Sequence, residues 1–400
     1  MAGPGARLRR GAGRYRRRAG AVPFRRPGPS GPSRAVARRS AERRPRPADG
    51  NGVLTCSGLS LSGGGERRSC HPATLPAQSG IGPSREASAM NRRDILKAGA
   101  VGAGVYALAS AGARAAGKAK PAFVLVHGSW HGAWTWNEMT IRLAKAGHAA
   151  FAVDLPGAGS RTRFPASFLK RPLDKKAFAT EVSPVAKVTQ AQRTAHVVDV
   201  VKSAAGVGDG KVVLVGHSWG GNTISAVAEA VPDLIHSVVY LTAFMLRGGM
   251  SPGEMLGDPS FKAGKVLPLV MGDPAKIGAL RIDPRSSDPA YVAAAKEAFY
   301  ADVTDGHFAA IANLLHCDEV AQTVGVKSPV TPEKFGKVAR HYVHLAEDRA
   351  IPAAAQDRMV ELVDGSGVGG KTVVHRMGGS HSPFYAQPDA LLEVFRKTAA

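Results

Sequence analysis

From residue 121 onward, short apolar runs alternate with stretches in which the apolar positions follow a helical spacing. Pro121 to Val126, Ala149 to Val153, Val212 to Val215, Ser237 to Ala243, Val338 to Ala346 and Lys371 to His375 read as strands. Val212, Val213, Leu214 and Val215 are consecutive apolar residues, the pattern of a strand buried on both faces in a parallel sheet. Met139, Ile141, Leu143 and Ala144 cover one broad side of a helix ending near Ala146. Gln190 to Ala205 is helical through Ala195, Val197, Val198 and Val201, Asn222 to Ala230 suits a helix, and the last helix runs from about Pro388 to Lys397. Alternating strands and helices predict an α/β fold with a doubly wound, mostly parallel sheet. Residues 160–188 are polar and irregular and predict a surface excursion. Residues 246–336 lack strand runs and carry helical patches at 291–295 and 308–315, which predicts a helical cap inserted over the strand ends.

The chemistry gathers where strands end. Gly216, His217, Ser218, Trp219 and Gly220 form Gly-x-Ser-x-Gly between a buried strand and a helix, the context of a nucleophile elbow. So tight a turn strains the serine backbone and excludes bulk two positions to either side. The helix that follows presents free N–H groups and a partial positive charge to a developing oxyanion. A serine hydroxyl needs a base, and the base needs an orienting acid. In the order Ser, acid, His, the acid after Val338 to Ala346 is Asp348, with Glu347 as competitor, and the base is His381, in the loop after Lys371 to His375. His375, inside a strand, reads as structural. After the first strand, Gly128 lets the backbone approach substrate, and the N–H groups of Ser129 and Trp219 are expected to hold the oxyanion. His127 is expected to position that loop. A zinc reading of His127 and His131 is disfavoured, since it lacks a third ligand nearby.

These segments resemble the plant methylesterase and hydroxynitrile lyase family of α/β hydrolases. The resemblance rests on Val-His-Gly-x-x-His-Gly-Ala-Trp at 126–134, Gly216 to Gly221, Glu347-Asp348-x-x-Ile351-Pro352 with Gln356, and Gly378-x-x-His381, in that order, over about residues 121–397. It implies carboxylester hydrolysis through an acyl-enzyme, without metal or cofactor, on a small-molecule ester beneath a helical cap. The lyases carry Thr after the first His and Lys after the catalytic His. Gly128 and Ser382 stand there, which disfavours cyanohydrin cleavage. The alternatives are a lyase-like or other non-hydrolytic enzyme on the same triad, and a ligand-binding protein that keeps the fold without turnover. Candidate pocket residues are Gly128, Trp130, Phe244 and Met245. Trp134, Met250, Met255, Phe261 and Phe384 are further apolar candidates, and at least half of all these large apolar side chains are expected in the core.

Charge changes the picture only at the front. The 400 residues hold 53 Lys and Arg against 31 Asp and Glu, a net +22. Residues 1–115 carry 22 basic and 5 acidic residues, so the remainder is nearly balanced and no nucleic-acid partner is expected. Residues 1–89, rich in Arg, Gly, Pro and Ser, read as a disordered leader outside the translated protein. Residues 90–115 read as a twin-arginine signal. Arg92 and Arg93 precede an uncharged, Ala-rich stretch that ends in Ala113-Arg114-Ala115. That stretch is too short and too small-residued for a stable membrane span. The expectation is a start at Met90, export by the twin-arginine machinery, and a periplasmic or secreted catalytic domain at 116–400. Cys317 alone remains after cleavage, so that domain has no internal disulfide.

Overall fold

The computed structural model describes residues 119–400, so the leader, the start at Met90 and the signal lie outside the described residues. Among the described residues there are eight strands. They are β1 (Ala122–Val126), β2 (Ala150–Val153), β3 (Val212–Ser218), β4 (Ile235–Ala243), β5 (Ala279–Arg281), β6 (Asp318–Val320), β7 (Ala339–Leu345) and β8 (Val373–Met377). Six of them form one sheet in the order β2-β1-β3-β4-β7-β8, and every pair is parallel. The doubly wound parallel sheet read from the sequence is present.

The side chains of β1, β3 and β4 alternate between two apolar layers. Val124, Val126, Leu214, Val238 and Tyr240 pack with Val197 and Val201 of helix Gln190–Ala205, Ile224 and Val227 of helix Gly220–Ala230, and Met359 and Val363 of helix Ala353–Asp364. Phe123, Leu125, Val213, Val215, Val239 and Leu241 pack on the opposite face with Met139 and Leu143 of helix Asn137–Lys145, and Leu391 and Phe395 of helix Pro388–Thr398. Burial on both faces is why these strands read as unbroken apolar runs. Each fully buried Val or Leu contributes about 1.5–3 kcal/mol. Thr189 opens the 190–205 helix with a reciprocal capping box to Gln192.

Two regions depart from the sequence reading. The 246–336 insertion contains short helices, but also the antiparallel pair β5–β6, with Ala279 opposite Val320 and Arg281 opposite Asp318. Three-residue strands are too short to show a period. The 160–188 segment is not a bare surface excursion. Phe168 and Phe178 are fully buried against Cys317, and Arg281 donates to the carbonyls of Phe178 and Glu181. Among the described residues, no helix is long and apolar enough to cross a membrane.

Candidate active site

The site begins with the turn at the end of β3. Ser218 has φ +53°, a left-handed conformation held by the strand before it and the helix after it. A Cβ on Gly216 would stand 2.9 Å from Ile224, and one on Gly220 would stand 2.6 Å from the His127 carbonyl oxygen. Glycine is therefore required two positions either side of the serine. Gly128 is equally confined, since a Cβ there would lie 2.6 Å from Ser218 Cβ.

Asp348 and His381 are both buried, with His381 Nδ1 2.7 Å from Asp348 Oδ2. Asp348 Oδ1 accepts from the Ala350 and Ile351 N–H groups at 2.7 and 2.9 Å. Its Oδ2 also accepts from the Thr242 hydroxyl. Gln356, fully buried, straps the same turn by accepting from Leu345 N–H and donating to the carbonyls of Leu345 and Ile351. Glu347 is exposed, and among the described residues its carboxylate bonds no histidine. His375 sits in β8 with its ring stacked on His341.

Two residues that the sequence reading did not single out hold this arrangement. His217, in the middle of the elbow, donates from Nε2 to the His381 carbonyl at 2.9 Å, and the two rings lie 4.5 Å apart. Burial, and then the His381 charge, push its pKa well down, so it stays neutral. Thr242 lies where the register slips: Leu241 pairs with His217 and Ala243 with Ser218, leaving Thr242 bulged with φ +35°. A bulge re-aims a side chain, and here it turns the hydroxyl onto Asp348. The elbow motif itself pointed to His217, whereas nothing in the sequence marks a bulge at Thr242. Among the described residues no hydrogen bond joins Ser218 to His381. Catalytic hydrogen bonds are often long in an empty site and tighten once substrate is bound.

Ser129 and Trp219, the expected oxyanion donors, lie at one cavity. Among the described residues, neither the Ser129 nor the Trp219 backbone N–H has a hydrogen-bond acceptor. Both residues line a cavity of about 60 Å³ with Ser218. Trp130 and Phe244 line it too, together with Phe261, Leu256, Val266, Leu267, Leu280 and Phe299. No charged residue is among its lining. Two of the pocket candidates fall outside this lining. Met245 packs in the core beyond the end of β4, and Gly128 lies beneath Ser218. Trp134, Met250, Met255 and Phe384 also pack in the core layers. A larger open groove of about 880 Å³ runs between helices Gln190–Ala205 and Gly220–Ala230. Ser218, Asp348 and His381 are not among its lining.

His127 and His131 have both ring nitrogens engaged by protein groups. His127 Nδ1 donates to the Gly128 carbonyl and Nε2 accepts from Leu155 N–H. His131 Nδ1 donates to the Ser129 carbonyl and Nε2 accepts from the Tyr300 hydroxyl. Burial lowers their pKa values to about 4 and about 3, which keeps both neutral, and the partners set the tautomers. No ring nitrogen is left for a metal.

The profile of the alpha/beta hydrolase family matches residues 123–394. Methylesterase 1 of Arabidopsis thaliana is 28% identical over 293 residues, covering 70% of this chain and 97% of that protein. Salicylic acid-binding protein 2 of Nicotiana tabacum is 25% identical over 296 residues, covering 69% and 97%. Among solved structures, a pyrethroid hydrolase from Sphingobium faniae JZ-2 aligns with a TM-score of 0.53 at 22% identity, over 70% of this chain and 97% of that one. At that identity the likeness speaks for the fold alone. An extracellular alpha/beta-hydrolase from a Paenibacillus species aligns with a TM-score of 0.51 at 25% identity, over 70% and 99%.

Proposed function

This chain belongs to the alpha/beta hydrolase family, and we propose that it hydrolyses carboxylic esters through an acyl-enzyme on Ser218. The observation that carries this reading is the buried 2.7 Å pair of His381 and Asp348 beside a serine held at positive φ. His381 takes the Ser218 proton, Ser218 attacks the ester carbonyl, and the N–H groups of Ser129 and Trp219 receive the oxyanion. The alcohol leaves with the proton from His381. Water, activated by the same imidazole, then releases the acid. Asp348 holds His381 with Nδ1 protonated, which leaves Nε2 free for each transfer.

The cavity lining favours neutral esters with an apolar arm. The small volume, about 60 Å³, favours a short arm on one side of the ester. Relatives named methylesterase fit a short alcohol arm. Cyanohydrin cleavage gains no support. The family's lyases carry threonine at the position of Gly128, where a Cβ would strike Ser218.

A panel of methyl and aryl esters tests the reading. Turnover is expected, with an organophosphate labelling Ser218 in a one-to-one ratio. Labelling at another serine, or cyanide release without ester cleavage, would overturn it. We also propose export by the twin-arginine route from a start at Met90, supported by Arg92, Arg93 and the small-residue stretch after them. Equal export of a variant with both arginines changed to lysine would refute that route.

A further inference from the structure

Helix Pro289–Phe299 of the cap ends directly above the site. Within four residues of its end, three side chains reach three different parts of the machinery. Phe299 lines the cavity. Tyr300, fully buried, places its hydroxyl 2.6 Å from His131 Nε2. His131 in turn donates to the Ser129 carbonyl at 2.6 Å. Asp302 accepts from both the backbone N–H, at 2.8 Å, and the hydroxyl of Ser380, the residue before His381.

The loop gripped through His131 is strained. Trp130 has φ +60°, rare for a bulky residue, and such a conformation persists only where its surroundings over-determine it. The surroundings here are cap groups. Besides Tyr300, Leu280 accepts from the Trp130 indole at 2.9 Å, and His316 donates its backbone N–H to the Trp130 carbonyl at 3.0 Å. The Ser129 N–H thus takes its direction from a loop that the sheet does not hold by itself. On the other side, Gly379 has φ +99°, and Asp302 Oδ2 lies 3.2 Å from where its Cβ would stand. The loop carrying His381 is therefore also seated on the cap.

We propose that Tyr300 and Asp302 are positioning residues that set the oxyanion loop and the histidine loop in register with each other. The cap is then part of the catalytic frame as well as a roof over the substrate. This rests on the reading of Ser129 as an oxyanion donor. It predicts that damage at the end of one cap helix appears in kcat, although neither side chain reaches the reacting atoms.

The test measures kcat, KM and inhibition by an alkyl boronic acid, which forms a tetrahedral anion on the serine, with the full-length protein and a short aryl ester. Tyr300→Phe should lower kcat about tenfold, less than the loss of an oxyanion donor outright. KM should stay within about twofold, and boronate affinity should weaken by the same factor as kcat. Asp302→Ala should lower kcat several-fold, and Asp302→Asn, which keeps one acceptor, should recover most of it. Asp302 is exposed, so its variants carry the test even if Tyr300→Phe fails to fold. Unchanged kcat with raised KM in these variants would make the segment a pocket wall only and overturn the inference. Absence of ester turnover in the unaltered protein would instead overturn the esterase reading.

Discussion

Along β3 and β4 the fully buried side chains include Val213, Leu214, Val215, Val238, Val239, Tyr240 and Leu241, which pack among other apolar groups. Along the ribbon of β5 and β6 in the cap, the equally buried positions include Arg281, Asp318 and Glu319. Arg281 donates from both Nε and Nη2 to Asp318, at 2.7 Å each, and Glu319 pairs with the buried Arg193 of helix Gln190–Ala205. The sheet is held by area removed from water, which is non-directional and tolerant of exchange. The ribbon is held by charges that are out of water only because each has a partner. The first arrangement makes a rigid platform from almost any apolar sequence of the right size. The second fixes one geometry of a cap over that platform, and it is sensitive to loss of any one member.

The sharpest way to break the comparison is to remove function from the platform while leaving both regions intact. Asp348→Asn is expected to cut turnover about 10⁴-fold, because its oxygen would stay on the Ala350 and Ile351 N–H groups and its NH2 would donate to His381 Nδ1, which forces the wrong imidazole tautomer. Glu347→Gln, on an exposed side chain, should change turnover by less than about twofold. A larger loss from the Glu347 change than from the Asp348 change would show that the acid was assigned to the wrong residue. Neither substitution should move the unfolding midpoint as far as a broken cap ion pair.

Next in size is the cap itself. Arg281→Met should destabilise the protein by about 3–5 kcal/mol, the cost of leaving Asp318 charged, buried and unpaired. The double change Arg281→Met with Asp318→Leu should recover about half of that, since the Phe178 and Glu181 carbonyls still lose their donor. Leu241→Met in the sheet, which nearly conserves volume, should cost under about 1.5 kcal/mol. Urea unfolding of the three proteins checks the ranking. An Arg281 variant as stable as the Leu241 variant would dissolve the distinction between the two regions.

The same distinction governs what could be read from the sequence. Strands buried on two faces announce themselves as apolar runs, and β1, β3 and β4 were legible for that reason. β8 begins two residues later than the run from Lys371 suggested, because edge strands are less completely buried and their ends less marked. Arg281 and Asp318 lie 37 positions apart, and a buried ion pair leaves no period in either flank. Phe168 and Phe178 are single aromatics in a polar stretch, so the 160–188 segment looked unpacked. Ser218, Asp348 and His381 could be named as candidates because each ends or follows a strand. Met245, expected at the pocket, packs in the core and is not among the cavity lining, since a sequence does not show which way a side chain points after a strand ends.

The junction between the regions should respond to acid. His131 titrates at about 6.5 when unfolded but only at about 3 in the fold, because burial disfavours its charged form. His127 moves in the same direction. Between pH 6.5 and 3 the unfolded chain binds a proton that the folded His131 does not. Stability is therefore intact above about pH 6.5 and falls with pH below it, by about 1.4 kcal/mol per unit from this group through the middle of that range. Denaturant titrations at pH 6, 5 and 4 should show that decline. His131→Asn, whose side chain does not titrate, should flatten it by about one proton's worth. An unchanged slope in the variant would mean that His131 is protonated in the fold and cannot accept from Tyr300.

The smallest expected effect belongs to Thr242, which joins the platform to the acid. Its hydroxyl is one of four protein donors to the Asp348 carboxylate, beside the Ala350 and Ile351 N–H groups and His381 Nδ1. Thr242→Val keeps the branched shape, and with it the same strain at φ +35°, so folding is disturbed only by the missing hydrogen bond. The two N–H groups still fix Oδ1, and the carboxylate gains freedom only about the oxygen that faces His381. Turnover should therefore fall about fivefold, near 1 kcal/mol and within the range of a single hydrogen bond, with KM unchanged. Thr242→Ser should restore it. Full activity in the valine variant would show that the two N–H groups and Gln356 aim the acid without help from the bulge. The bulge would then owe its place to the register of β3 against β4 alone.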